Sequence, residues 1–420
     1  MTFHIHDYGA FPDGRLCTKQ IQQAIDDCFL NGGGEVVIPE GTYLVGGLRL
    51  RSGITLHLLE NAVLMGSVCP EDYMDYINDT IEPISQAERE STVSTVVPGA
   101  RVGSDACPYS RWNNAIIRAI HARDIAIIGE RGSEIHGQNC FDELGEEGYR
   151  GPHAINMWFC ENIFLGGYTI RDSANWAHAI QNSRNITVKA ITVLGGHDGF
   201  DVRTCDHISI DGCTFKTGDD CIAGFDNFNV TVRNCYFESA CSIFRFGGTN
   251  VLIENCKGVA PATYGHRYKL SLEEKRARAD TTPLCRHNCK NVFLYYCDHR
   301  AMIRHTPGNI VISRSEFKNI DAIMRLPFGH QWCCNRSLQN ITFEECVFDG
   351  ICMPMRLECP AEEPLSIQLR SCTVIAREGY EQIAFITGNN IKKIELENVS
   401  INNLKNPAII CEPQAETVVV

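Results

Sequence analysis

The sequence predicts an all-β fold, a parallel β-helix running as one solenoid domain over residues 1–420, and three observations carry that expectation. The first is a repeat: "NITVKAI" from Asn185, "HISIDGC" from His207, "NVTVRNC" from Asn229 and "NVLIENC" from Asn250 start 22, 22 and 21 residues apart. Each is a short β-branched, alternating segment bounded by Asn, Asp or Gly, and a period near 22 with about one clear strand per turn is the mark of stacked coils. The second is length, because 420 residues exceed one ordinary globular core, whereas a solenoid grows by packing each unit only on its neighbours. The third is cysteine: Cys213, Cys235, Cys256, Cys297, Cys346 and Cys372 recur at one place in their repeats. Equivalent positions of successive coils stack at roughly 4.8 Å, so these thiols are expected to form an inward ladder of small apolar groups.

The elements follow in chain order. "TKQIQQAIDDCFLNGGG" places Ile21, Ala24, Ile25 and Cys28 on one helical face before a glycine stop, which predicts an amphipathic helix over 18–31 with Thr18 as N-cap, covering the first coil's open edge. "EVVIPEGTYLVGGLRLRSGITLHLLENAVLMGS" then begins the strands. "DIAIIGE" from Asp124 and "NIFLGGY" from Asn162 are early copies of the repeat, and "NVFLYYC" from Asn291, "NIVISRS" from Asn309, "NITFEEC" from Asn340 and "SIQLRSC" from Ser366 are later ones. The leading Asn suits a left-handed turn position and predicts a structural ladder. Residues 70–112 and 257–290 break the rhythm and are expected as loops bordering the binding face.

Bulk properties exclude several classes. A formal net charge of −13 argues against nucleic acid and an anionic membrane as partners, and no apolar run is long enough to span a bilayer. The start "MTFHIHDYGAF" lacks a basic stretch followed by an apolar one, so the 22 cysteines are read as reduced thiols in the cytoplasm. No CxxC pair occurs and Cys333–Cys334 lacks zinc-ligand spacing, so neither a metal nor a cofactor is expected. The oligomeric state is left open.

The chemistry-bearing stretch is "FKTGDDCIAGFDN", Phe215 to Asn227. Adjacent carboxylates repel, so Asp219 and Asp220 are either solvated in an exposed turn or used together. Asp198 precedes Asp219 by 21 residues, about one coil, which puts a third carboxylate in register. Consecutive strand residues face opposite ways, and Gly218 offers the bend that would let Asp219 and Asp220 share a face.

These segments resemble the polygalacturonase-type glycoside hydrolases of family 28. The opening "DYGAFPDGRLCTKQIQQAIDDC…GGGEVVIPEGTYLVGGLRLRSGITLHL", "IHGQNCFD", "RDSANWAHAIQNSRNITV" and "HDGFDVRTCDHISIDGCTFKTGDDCIA" carry the likeness, which covers most of residues 6–260 and then fades. The resemblance implies a right-handed coil, an oligosaccharide as partner, and carboxylate roles: Asp219 as general acid, with Asp198 and Asp220 activating water. It also points to Asp201, Trp176 and His178 as substrate-binding positions. Glycoside hydrolysis does need one protonated and one ionised carboxyl, and crowding supplies the first at neutral pH.

The likeness breaks one coil after the Asp pair. The family's "GHG" is replaced by "FESACSIFRFGG", where Ser239 or Cys241 stands in the histidine's place, and the later "RIK" has only "YGHRYK", with His266, and "RAMIRHT", with Arg300, as candidates. Arginine recurs instead, at Arg203, Arg245, Arg304, Arg325 and Arg356. Such a column either pairs with acidic neighbours or lines a groove for substrate carboxylates. The expected activity is inverting hydrolysis of a small, acidic, pectin-like oligosaccharide. The alternatives are a polysaccharide lyase or uronate epimerase on the same architecture, or a carbohydrate-binding solenoid without catalysis.

Overall fold

In the computed structural model the described residues are all but 75–77, 84, 86–107, 267–285, 299–303, 329–335, 406, 414 and 420. They form short parallel strands with a single α-helix, α1 (Thr18–Leu30), among them. They group into two compact units where the sequence predicts one domain: Met1–Asp201, and Val202–His266 with Arg286–Val420.

The first unit stacks its coils from the α1 end. Strands Gly34–Ile38, Ile54–Leu58, Arg123–Gly129, Glu161–Gly166 and Arg184–Lys189 pair in parallel, with Val36, Leu56, Ile127, Leu165 and Val188 in one register column. All five are buried, so every coil adds its own layer of core and needs only the coil beside it. A second column, Tyr43, Leu64, Ile135, Ile170 and Val193, does the same on another face. The helix buries Ile21, Ala24, Ile25 and Cys28 as the spacing predicts, but it starts one residue earlier than a Thr18 cap requires. Cys17 is the N-cap residue, and the Thr18 hydroxyl accepts the Gly46 N–H at 2.7 Å instead. The described start of the 70–112 segment is anchored by charge: Arg51 reaches Asp26 at 2.7 Å, Glu82 at 2.7 Å and Asp79 at 3.1 Å.

The second unit repeats the scheme. Ile208, Val230, Val251, Ile310, Ile341, Ile367 and Ile394 share one column, and Phe215, Phe237, Gly258, Phe317, Phe348, Val374 and Ile401 another. The strands Ile222–Arg233 and Ser242–Glu254 are long enough to turn a corner between two faces. Gly224 makes that corner possible: its φ is +140°, and a Cβ there would lie 1.7 Å from the Val202 carbonyl oxygen.

The cysteine ladder is real with one correction. Cys213, Cys235, Cys256, Cys346 and Cys372 are buried, and each donates to the carbonyl two residues back at 3.0–3.3 Å. Cys297 does not belong to it. The strand Asn291–Tyr295 pairs with Ser242–Phe246, on a different face from the "NVTVRNC" column, and Ser315 fills the vacant rung, accepting the Cys256 N–H at 3.0 Å. The "NVFLYYC" pattern imitated the repeat because the other faces are also β-branched and aromatic, and only the short gap of 18 residues to Asn309 betrays it.

Candidate active site

Two strands frame the carboxylate pair. Thr214–Thr217 ends the coil before it and Ile222–Arg233 starts the next, so Gly218–Cys221 form a bend. The bend is pinned from both sides, as the hydroxyls of Thr217 and Ser239 donate to the Asp219 carbonyl at 2.7 and 2.8 Å. Because the chain turns here, the two side chains meet different surroundings. Asp219 remains partly open, with 18% of its side chain exposed, whereas Asp220 is buried, with 4% exposed.

Asp220 is held by one hydrogen bond and one ion pair. One oxygen accepts the Ser242 N–H at 3.0 Å and the other meets Arg245 Nε at 2.7 Å. Burial pushes its pKa up to about 6 against the opposing pull of the Arg245 charge, with the neighbouring Asp219 raising it further. Arg245 lies over the Tyr296 ring at 4.4 Å, Tyr296 meets Phe225 edge-on at 5.4 Å, and Arg203 lies over Phe225 at 5.4 Å. The Tyr296 hydroxyl donates to Asp298 at 2.9 Å. The result is a pair of edge-packed rings flanked by two guanidiniums, of which Arg245 is the one that reaches Asp220.

Asp219 has a different neighbour. His266 Nε2 stands 3.7 Å from its Oδ2, and the His266 backbone N–H donates to the Arg286 carbonyl at 2.8 Å. The coil that lacks the family's histidine supplies Cys241 instead, whose sulfur lies within 4.8 Å of both the Asp219 carboxylate and the His266 ring. Ser239, the other residue in the histidine's place, is spent on the backbone, accepting the Cys241 N–H at 2.8 Å.

The arginine column needs correction. Arg245, Arg325 and Arg356 do share one register, with Leu294 between the first two. Arg304 does not: it bonds Asp226 through Nε at 3.0 Å and Asp206 at 3.0 Å, which is the paired, structural role. Arg356 meets Glu358 at 2.6 Å on the surface. Arg300 lies outside the described residues.

In the first unit Asp198 is buried, and its carbonyl accepts the Ala177 N–H at 2.9 Å. Asp201, in the strand Phe200–Arg203, is wholly buried. Trp176 is nearly enclosed, its ring 5.3 Å from that of His153. His178 is fully buried between the Tyr168 hydroxyl and the Gly199 carbonyl, both at 3.0 Å, and desolvation lowers its pKa to about 4. Asp201 and His178 are therefore enclosed by the chain, as Asp198 nearly is. Sequence reasoning missed Tyr296 and Phe225, because an aromatic residue in a strand of aromatics carries no mark of what it stacks on.

Comparison with known proteins bears out the family resemblance. Residues 89–269 match Glycosyl hydrolases family 28, a stretch ending close to where the sequence likeness fades. The chain is 28% identical over 240 residues to a probable polygalacturonase of Vitis vinifera, 53% of this chain and 45% of that protein. It is 27% identical over 185 residues to a polygalacturonase of Saccharomyces cerevisiae, 41% of this chain and 51% of that one. The chain thus spans about half the length of the curated relatives it matches. The Yersinia enterocolitica family 28 exopolygalacturonase superimposes with a TM-score of 0.65 at 18% identity, covering 100% of this chain and 78% of that one, which shows the right-handed parallel β-helix fold.

Proposed function

We propose that this chain, which carries a family 28 segment over residues 89–269, is a glycoside hydrolase that cleaves a small uronate-containing oligosaccharide with inversion. The observation that carries the reading is the split environment of the Asp pair: Asp219 open, Asp220 buried and clamped by Arg245. An inverting reaction needs one carboxyl to protonate the leaving oxygen and another to activate water. Reach comes before pKa in choosing between them. Asp219 faces the surface and can meet a glycosidic oxygen. Asp220, titrating near 6, is ionised at neutral pH and acts as the base, and the motif resemblance adds Asp198 to that role. His266 takes the place of the family's missing histidine beside the acid, arriving from a later segment of the chain.

The acidic character of the substrate is supported by Arg203 and Arg245, held on aromatic rings with their charge directed by geometry. A reducing compartment is supported by the cysteines, since all 18 described ones are free. Among the described residues no helix is long and apolar enough to cross a membrane.

The test is a panel of uronate and neutral oligosaccharides read by mass and by NMR. Hydrolysis adds one water per cleavage and inversion gives the opposite anomer first. Asp219→Asn keeps the shape and removes the proton, so turnover should fall by about 10²–10⁴-fold. An unsaturated product without mass gain selects the lyase, and glycan binding unchanged by Asp219→Asn without turnover selects the binding solenoid.

A further inference from the structure

Three chemically different donors converge beside the carboxylate pair. A carboxylate oxygen of Asp219, the sulfur of Cys241 and a ring nitrogen of His266 all lie within 4.8 Å of one another, and the Asp219 and His266 atoms are 3.7 Å apart. Asp219 and Cys241 lie 22 residues apart, one coil period, and His266 joins them from the non-repeat segment 257–290, 25 residues after Cys241. We propose that these three side chains form a binding site for a divalent cation of the Zn²⁺ class, and that the occupied site is hydrolytically silent. The second half rests on the reading of Asp219 as proton donor.

The donor set selects the ion. Zinc takes thiolate at about 2.3 Å and imidazole or carboxylate at about 2.0–2.2 Å, in a tetrahedral shell. Donors at those lengths lie roughly 3.3–3.8 Å apart across the tetrahedron, so the Asp219–His266 pair already fits and the widest gap closes with about 1 Å of side-chain movement. Sulfur disfavours Ca²⁺ and Mg²⁺, which take oxygen ligands. Charge balances too, since a carboxylate and a thiolate neutralise a divalent ion while the imidazole stays neutral, with the thiol proton released to solvent. Burial and the Asp220 and Asp219 charges push the Cys241 thiol well up, with Arg286 and Lys290 opposing them only in part, so the arriving ion itself must displace the thiol proton.

The framework holds two of the ligands in place without the metal. Asp219 is pinned through its carbonyl by Thr217 and Ser239, and His266 through its backbone by Arg286. All three side chains keep some exposure, which leaves an entry path and a fourth position for water or a substrate oxygen. An ion here takes the lone pair on which Asp219 would carry its proton, so occupancy and general-acid catalysis are mutually exclusive.

The experiment uses the full chain, reduced and stripped with a chelator, titrated with Co²⁺ and then Zn²⁺. Wild type should show intense tetrahedral cobalt bands with a thiolate charge-transfer band, displaced by Zn²⁺. Cys241→Ser, which keeps the other 21 thiols, should lose the charge-transfer band and weaken Zn²⁺ by at least about 10–100-fold, since even outer-shell changes reach that range. His266→Ala, at a partly exposed side chain, gives a second variant if Cys241→Ser does not fold. Identical cobalt spectra for wild type and both variants would overturn the site. Saturating Zn²⁺ should abolish wild-type hydrolysis and leave Cys241→Ser at its own zinc-free rate. Binding with undiminished hydrolysis removes Asp219 from the ligand set and overturns the proposal. Binding to a chain that hydrolyses no uronide in the absence of metal leaves the site standing and removes the proposed function.

Discussion

Asp220 titrates in a place where burial and a salt bridge pull in opposite directions, and burial wins. Its folded pKa of about 6 lies above the ordinary value of 3.8, so the folded chain binds this proton more tightly than the unfolded one. The stability linked to it is therefore complete below about pH 4 and is lost as the pH rises through 6, an effect on the order of 3 kcal/mol. Denaturant unfolding at pH 4 and pH 7 should show that slope in wild type and a smaller one in Asp220→Asn, since every other titrating group is common to both. Activity should run the other way, because the base works when ionised: turnover should fall on acidification below about pH 6, with a step belonging to the Asp219–Asp220 pair as a unit. Arg245 lowers the Asp220 pKa, so Arg245→Ala should shift that acid limb to higher pH. A limb that stays in place would mean that Arg245 does not hold Asp220 in the working enzyme. None of this environment is legible in "GDDCIAG". The motif marks the pair, but which carboxylate is buried depends on the bend at Gly218–Cys221 and on Arg245 one coil later.

At the scale of single elements, the repeat was legible where its signal is local. The Asn ladder follows from turn chemistry: Asn250 donates to Asn229 at 3.2 Å, Asn309 to Asn250 at 3.1 Å, and all three have φ between 52 and 57°. Left-handed backbone costs an ordinary residue about 1–2 kcal/mol, and the amide bond to the next rung adds a net contribution near 1. Asn250→Ala should lose both, and Asn250→Gly only the second, so thermal melting should rank wild type, Gly, Ala in falling order. Equal loss in the two variants would assign the whole effect to the hydrogen bonds. The shorter strands on the other faces were not legible. Segments such as Thr214–Thr217 and Tyr236–Ser239 are four residues long, too brief for alternation to stand out.

For the chain as a whole, the coil architecture was the most legible property, because a 22-residue period survives even where single strands are ambiguous. The division into two compact units was not, since both use the same coil and no composition shift marks Asp201 from Val202. The thiols offer a test at this scale. Of the 22 cysteines, the 18 described are free, 15 of them buried; the other four lie outside the described residues. Burial pushes the thiol pKa up, to about 12 for Cys160 and about 11 for Cys17, so the reactive thiolate is scarce at neutral pH even before access is considered. Among the described cysteines, alkylation of native protein should label exposed Cys69 first, Cys241 and Cys411 slowly, and the ladder positions only as the coils open. Denaturation without reductant should then release nearly all 22 thiols, and a reductant should leave the melting temperature unchanged. Rapid native labelling of Cys235 or Cys256 would show that the ladder faces solvent, and a shortfall of thiols in denatured protein would show cross-links and an oxidising compartment.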